Sequence, residues 1–184
     1  MYIPVTPILI DKSANNLKTR FFVIKSTNEM DVYSALKWGI WTSTELGNRR
    51  LSEALRAHHG YGNVLLFFSV NGSGRFCGVA EMLSTHDQDT MVGIWTERRW
   101  KGRFDIRWLY VKDVPMSFLR HIFVANNEGK NVSCSRDTQE LYGEVSSVLF
   151  HSVRHVTKRN PTGRFPDAGS LQHVPVVDWA HLRL

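Results

Sequence analysis

From Gly93 to Phe104 the chain reads GIWTERRWKGRF, two indole rings, Trp95 and Trp100, interleaved with Arg98, Arg99 and Lys101. Flat apolar faces beside cations suit a nucleic acid. A base stacks on an indole, worth about 1–3 kcal/mol per base, while phosphates take the positive charge. The competing reading buries both tryptophans. A core strand W-T-E-R-R-W would have to bury or exclude four polar residues, whereas a loop at the rim of a pocket leaves them in water. Trp41, at the end of a short apolar run and followed by Thr42 and Ser43, supplies a third indole. Three such rings converging at a sheet's rim make a cage for a methylated nitrogen, either a methyl-lysine cation held by cation–π attraction or a methylated base held by stacking. The residues leave that choice open, and the neighbouring cations favour the base.

Other chemistry is thinly represented. His151 and His155 are four apart on an expected helix, with no glutamate between them as in a zinc-protease motif and no third ligand in view. His58-His59 and His86-Asp87 read as solvated surface. Gly72-Ser73-Gly74 joins two apolar runs and opens no helix, which argues against a phosphate-cradling loop. The expectation is therefore a non-enzyme with no metal and no cofactor. The 184 residues, 42% hydrophobic and 22% charged, fit one domain, and the formal charge of +6 favours a polyanionic partner. Cys77 and Cys134 form no disulfide framework and no metal-ligand spacing, so free thiols in an intracellular, cytoplasmic setting are expected, with the nucleus left open. The opening MYIPVTPILI carries two prolines and is too short to span a bilayer, so no membrane association is expected.

These side chains need a frame. Residues 1–19 read as an extended arm. RFFVIK predicts a strand, and Ser26-Thr27-Asn28 supplies capping chemistry for a helix with Val32, Ala35 and Leu36 on one face, ending near Gly39. Ile40-Trp41 reads as a short strand. Ser43, Thr44, Gly47 and Asn48 read as turn and cap residues before a helix carrying Leu51, Ala54, Leu55 and His58, with Arg49 and Arg50 in its first turn. VLLFFSV at 64–70 predicts a strand buried on both faces, turned by NGSG into RFCGVAEM. Phe104, Ile106, Trp108 and Tyr110 alternate with polar residues, which predicts a strand with these four on one face. Phe118 to Val124 suggests another strand. Leu141, Val145, Val148, Leu149 and Ser152 predict a helix capped by Asp137 with Glu140 three residues on. Pro and Gly recur from residue 158, predicting a tail over 158–184 docked through Trp179. The mixed order implies an α/β domain over 20–157, with an open, barrel-like curved sheet flanked by helices.

FFVIKS at 21–26, IWTSTELGNRRLSEA at 40–54, LLFFSVNGSGRFCGVAEM at 65–82, IWTERRWKGRFDIRWLYVKDVP at 94–115 and LRHIFVANNEGKNVSCSRDTQE at 119–140 resemble the YTH domain. The resemblance is to YTHDF-type readers of N6-methyladenosine, and it runs in order over residues 20–155. It implies an open β-barrel packed by helices, and single-stranded RNA carrying N6-methyladenosine as the partner. It also implies a methyl-base cage of Trp41, Trp95 and Trp100, with Trp41 and Trp95 sandwiching the purine and Trp100 closing the floor. Asp31 matches an acidic residue facing a ring nitrogen of the base; main-chain groups around Ser26, Thr27 and Thr42 match its edge contacts. Lys25, Arg50 and Arg136 match basic residues along the RNA path, and Asn71 a polar contact beside it. Thr27 stands where such relatives carry tyrosine, and Thr42 where they carry cysteine. Two rival readings remain: a methyl-independent RNA-binding module on the same basic surface, and a methyl-lysine reader with Asp31 as the acidic partner.

Overall fold

The computed structural model describes residues 19–57, 62–90 and 92–155. The arm through residue 18, the tail from 158, and His58, His59 and Trp179 lie outside them. In chain order the elements are β1 (Arg20–Ser26), α1 (Glu29–Trp38), β2 (Ile40–Trp41), α2 (Glu45–Ala57), β3 (Val64–Val70), β4 (Arg75–Met82), β5 (Phe104–Pro115), β6 (Phe123–Val124), β7 (Lys130–Asn131), β8 (Gln139–Leu141) and α3 (Glu144–His155). Six strands form one open, barrel-like curled sheet in the order β2-β5-β4-β3-β1-β8, while β6 and β7 pair separately. β1 runs parallel to β3, so α1, β2 and α2 form the crossover between them, and β2 reaches the far edge of the sheet.

The apolar runs explain this layout. Every residue of β3 is buried, and alternate side chains point to opposite faces. Leu66 and Phe68 join one core with Phe22, Ile24, Val32, Leu36, Leu51 and Trp41, under α1 and α2. Leu65 and Phe67 join the other with Phe21, Val23, Leu149, Phe150 and Val153, under α3. Burying a Leu or Phe side chain is worth about 1.5–3 kcal/mol, so this strand needs a cover on each face. α1 starts at Asn28, whose side chain accepts the Asp31 N–H, and stops at Gly39, where φ is 64° and the N–H returns to the Ala35 carbonyl.

Four expectations change. α2 begins two residues before Gly47, because the Thr44 hydroxyl accepts the Gly47 N–H. Gly47 and Asn48 are thus helical, and Arg49 and Arg50 lie beyond the first turn. Gly47 is a packing glycine: a Cβ there would sit 2.3 Å from Ser43 Oγ and 2.9 Å from Thr138 Cγ2. Second, the alternation in β5 holds only to Trp108. The register against β4 slips between Val79 and Ala80, and this bulge sends Tyr110 to the opposite core, against Phe150. Trp108 itself stays half-buried, with its indole N–H donating to the Ala35 carbonyl. Third, the span 118–124 holds a 3-10 turn at Met116–Leu119 and the two-residue β6. Fourth, Leu141 belongs to β8, and α3 starts after Gly143, whose φ is 62°. Asp137 does not cap it, and Val148 is exposed while Phe150 and Val153 are buried.

Candidate nucleic-acid interface

Trp41 closes β2, and Trp95 and Trp100 come from the loop between β4 and β5. The sheet order brings β2 beside β5, and so the three indoles meet. Ring centroids are 5.4 Å apart for Trp41 and Trp95, 5.9 Å for Trp41 and Trp100, and 6.3 Å for Trp95 and Trp100. Their planes cross at 75°, 63° and 65°, so the cluster is edge-to-face and no pair is parallel. Trp41 is 1% exposed and packs edge-on against Phe68, and Trp95 is 7% exposed. Trp100 is partly exposed. Trp100 is thus the least buried of the three rings, and Trp41 with Trp95 the most buried pair. The indole N–H groups of both buried rings lack a hydrogen-bond partner among the described residues.

Asp31 lies at the foot of this loop, fully buried. One carboxylate oxygen accepts the Thr96 N–H at 2.8 Å, and the other accepts the Thr96 hydroxyl at 2.7 Å and the Asn28 amide at 2.8 Å. The residue matched to a base contact therefore also ties the Trp95 loop to the start of α1. The Ser26 hydroxyl donates to the Asn28 carbonyl, and the Ser26 carbonyl accepts the Asn71 N–H. Thr27 is exposed, and its hydroxyl accepts from the Asn28 amide. Thr42 is buried, with its hydroxyl donating to the Lys101 carbonyl and accepting from Asn48.

The basic residues gather around the turn before β8. Asp137 is its hub: one oxygen accepts the Lys25 N–H at 2.9 Å, and the other the Ser43 hydroxyl. Burial pushes its pKa above the ordinary carboxylate range against the pull of these bonds. Arg50 reaches the same turn and donates to the Thr138 carbonyl and hydroxyl, so one arm of its fork is already committed. Arg136 is exposed, with no side-chain partner among the described residues. The Lys25 amine, lowered in pKa by burial, reaches Ser69 Oγ at 3.3 Å and the Ser133 carbonyl at 3.4 Å. With Asn71, Gly72, Met116, Ser133 and Ser135 it lines a cavity of about 410 Å³.

Sequence reasoning missed Thr96, Asp137 and His86. Thr96 had a signal, its place beside Trp95. Asp137 had none, because its partners are 112 and 94 residues away. His86 is half-buried, and its ring meets the Lys101 carbonyl, so it is more than solvated surface. His151 is exposed on α3, and no group of three or more potential metal ligands occurs among the described residues. No helix among them is long and apolar enough to cross a membrane. Cys77 is a buried free thiol and Cys134 an exposed one.

The family model described as "YT521-B-like domain" (YTH) matches residues 19–154. Among curated proteins, YTH domain-containing family protein 2 of Homo sapiens is 58% identical over 146 residues, 77% of this chain and 25% of that protein. YTH domain-containing family protein 3 of Homo sapiens is 53% identical over 153 residues, 83% of this chain and 26% of that one. This chain thus spans about a quarter of the length of the curated relatives it matches. The YTH domain of Zygosaccharomyces rouxii MRB1 protein, solved in complex with N6-methyladenosine RNA, is similar with a TM-score of 0.71 at 41% identity, covering 76% of this chain and 90% of that one. The Pho92 YTH domain in complex with m6A gives 0.72 at 40% identity, with coverage of 76% and 86%.

Proposed function

The chain belongs to the YTH domain family, and from that premise we propose that residues 20–157 form a non-catalytic reader of N6-methyladenosine in single-stranded RNA. The observation that carries the reading is the convergence of Trp41, Trp95 and Trp100, drawn from β2 and from a loop more than fifty positions further on. N6-methyladenine is neutral, so its cage needs a dry aromatic slot and no carboxylate counter-charge. A flat base between two rings needs them roughly 7 Å apart and parallel, twice the usual carbon–carbon contact distance. The base enters beside Trp100, turns and parts the rings, and leaves its methyl group against the buried Trp41–Trp95 pair. The base must be unpaired to do so.

Asp31 sits at the inner end of the slot, and the main-chain groups of Ser26, Thr27 and Thr42 flank it as base-edge contacts. Lys25, Asn71 and Arg136, with the free arm of Arg50, carry the RNA backbone past the turn at 136–139. The Asp31 carboxylate is spent on Thr96 and Asn28, which argues against a methyl-lysine cation as the occupant. The two unpaired thiols support an intracellular setting, and the cytoplasm is the compartment proposed.

Titration of two oligonucleotides identical except for one N6-methyl group tests the reading. The methylated strand is expected to bind about 10- to 100-fold more tightly, about 1.4–2.8 kcal/mol. Burying one methyl is worth about 0.8 kcal/mol, and its close fit against indole faces supplies the rest. Equal affinities would leave a methyl-independent RNA-binding module.

A further inference from the structure

We infer that His86 is a positioning residue that, together with Thr42, sets the outer wall of the cage by clamping the main-chain carbonyl of Lys101. This rests on the reader function proposed above. Lys101 follows Trp100 directly, so whatever fixes its carbonyl pins the chain one peptide beyond the partly exposed indole. Two donors converge there, His86 Nε2 at 2.9 Å and Thr42 Oγ1 at 3.2 Å. A carbonyl oxygen has two lone pairs and no proton to give. Nε2 therefore carries the hydrogen, and both acceptor positions are filled.

Each donor is itself anchored. The His86 N–H donates to Ser52 Oγ on α2 at 3.0 Å, and Ser52 is buried. The Thr42 hydroxyl is oriented by the Asn48 amide, also on α2, at 3.2 Å. The neighbouring residues close a two-stranded bridge in which Asp87 and Arg103 exchange both main-chain hydrogen bonds, at 2.8 and 2.9 Å. Gly102, between clamp and bridge, has φ of 69°, and a Cβ on it would lie 2.2 Å from the Asp87 carbonyl and 2.6 Å from His86 Nε2. The approach is so close that only glycine fits. The chain just beyond Trp100 is thus fastened to α2 through His86 and Thr42. A surface histidine serving only solubility would show none of this.

The test compares His86→Ala, His86→Gln and Thr42→Val with the parent. Glutamine's amide nitrogen reaches about as far as Nε2 and donates, whereas alanine and valine do not. In the free protein, the Trp100 indole N–H resonance is expected to shift or broaden in His86→Ala and to return in His86→Gln, a readout that needs no RNA. With the paired oligonucleotides, His86→Ala and Thr42→Val are each expected to weaken the methylated strand about 3- to 10-fold and the unmethylated one less than twofold, with His86→Gln within twofold of the parent. An unmoved Trp100 resonance in His86→Ala, equal losses on both strands, or a glutamine variant no better than alanine would overturn the clamp. A parent that ignores the methyl group would instead overturn the reader function and leave the resonance test intact.

Discussion

Removing Trp100 separates the cage from the fold more cleanly than removing either buried indole. Its ring makes two edge-to-face contacts, 5.9 Å from Trp41 and 6.3 Å from Trp95, each worth about 0.5–1.5 kcal/mol. Trp100→Ala should therefore cost about 1–3 kcal/mol of stability against the 5–15 kcal/mol typical of a domain, and the variant should stay folded at room temperature. Binding loses one stacking face, about 1–3 kcal/mol, so the dissociation constant for the methylated oligonucleotide should rise about 5- to 150-fold. The unmethylated strand, which lacks the methyl contact and leans on the basic groove, should weaken less. The ratio between the two then falls, because the methylated base is the one held firmly enough in the slot to use that face. Calorimetric titration of both strands, with a thermal melt of each protein, measures all of these quantities. A folded variant whose affinity for the methylated strand stays within twofold of the parent would refute the assignment of Trp100 as a wall. Equal losses on both strands would do the same.

Asp31→Asn keeps an acceptor for the Thr96 N–H, lets the Thr96 hydroxyl turn round, gives up the acceptor for the Asn28 amide, which still reaches Thr96 Oγ1, and removes a negative charge beside the proposed base edge. By titration it should bind methylated RNA at least as tightly as the parent, whereas Asp31→Ala, which frees Thr96, should bind more weakly. Arg136→Gln removes an unpartnered cation and should weaken both strands alike, flattening the plot of log affinity against log salt by about 0.7, one single-strand phosphate contact. Arg50→Gln should also lower the melting temperature, because its guanidinium holds Thr138. Burial raises the Asp137 pKa, so between the unfolded and folded values the native state keeps a proton that the unfolded chain has lost. Stability is therefore highest below that window and falls as pH rises through the folded value. Melts from about pH 4 to 7 should show this slope flattened in Asp137→Asn; an unchanged slope would assign it to another group.

Much of the frame was readable because single residues or short runs decide it. VLLFFSV has no polar face and had to be a doubly covered strand, and Gly39 had to end a helix whose next residues are Ile and Trp. The resemblance supplied the cage, and the structure brings its three rings together. What escaped was set by pairs of residues far apart in the chain. Gly47 looked like a turn residue because glycine usually is one, but here it makes room for Thr138, 91 positions away. Tyr110 looked like a neighbour of Trp108 because period-two patterning carries no mark of an extra residue in the strand. Asp137 looked like a cap because the spacing to Glu140 suited one, while its true partners lie on β1 and beside α2.

The sheet ends at β8, and that ending has a cost in reserve. Among the described residues, only Gln139, Glu140 and Leu141 cover the outer side of β1, opposite Val23, Phe22 and Phe21. Stripped of them, β1 would present an apolar, unpaired edge to any other chain, the usual template for aggregation. The same short segment follows directly on the turn bearing Arg136 and Asp137. A cut or frameshift before that turn would therefore remove, in a single event, both the Arg136 proposed to meet RNA and the strand that covers β1.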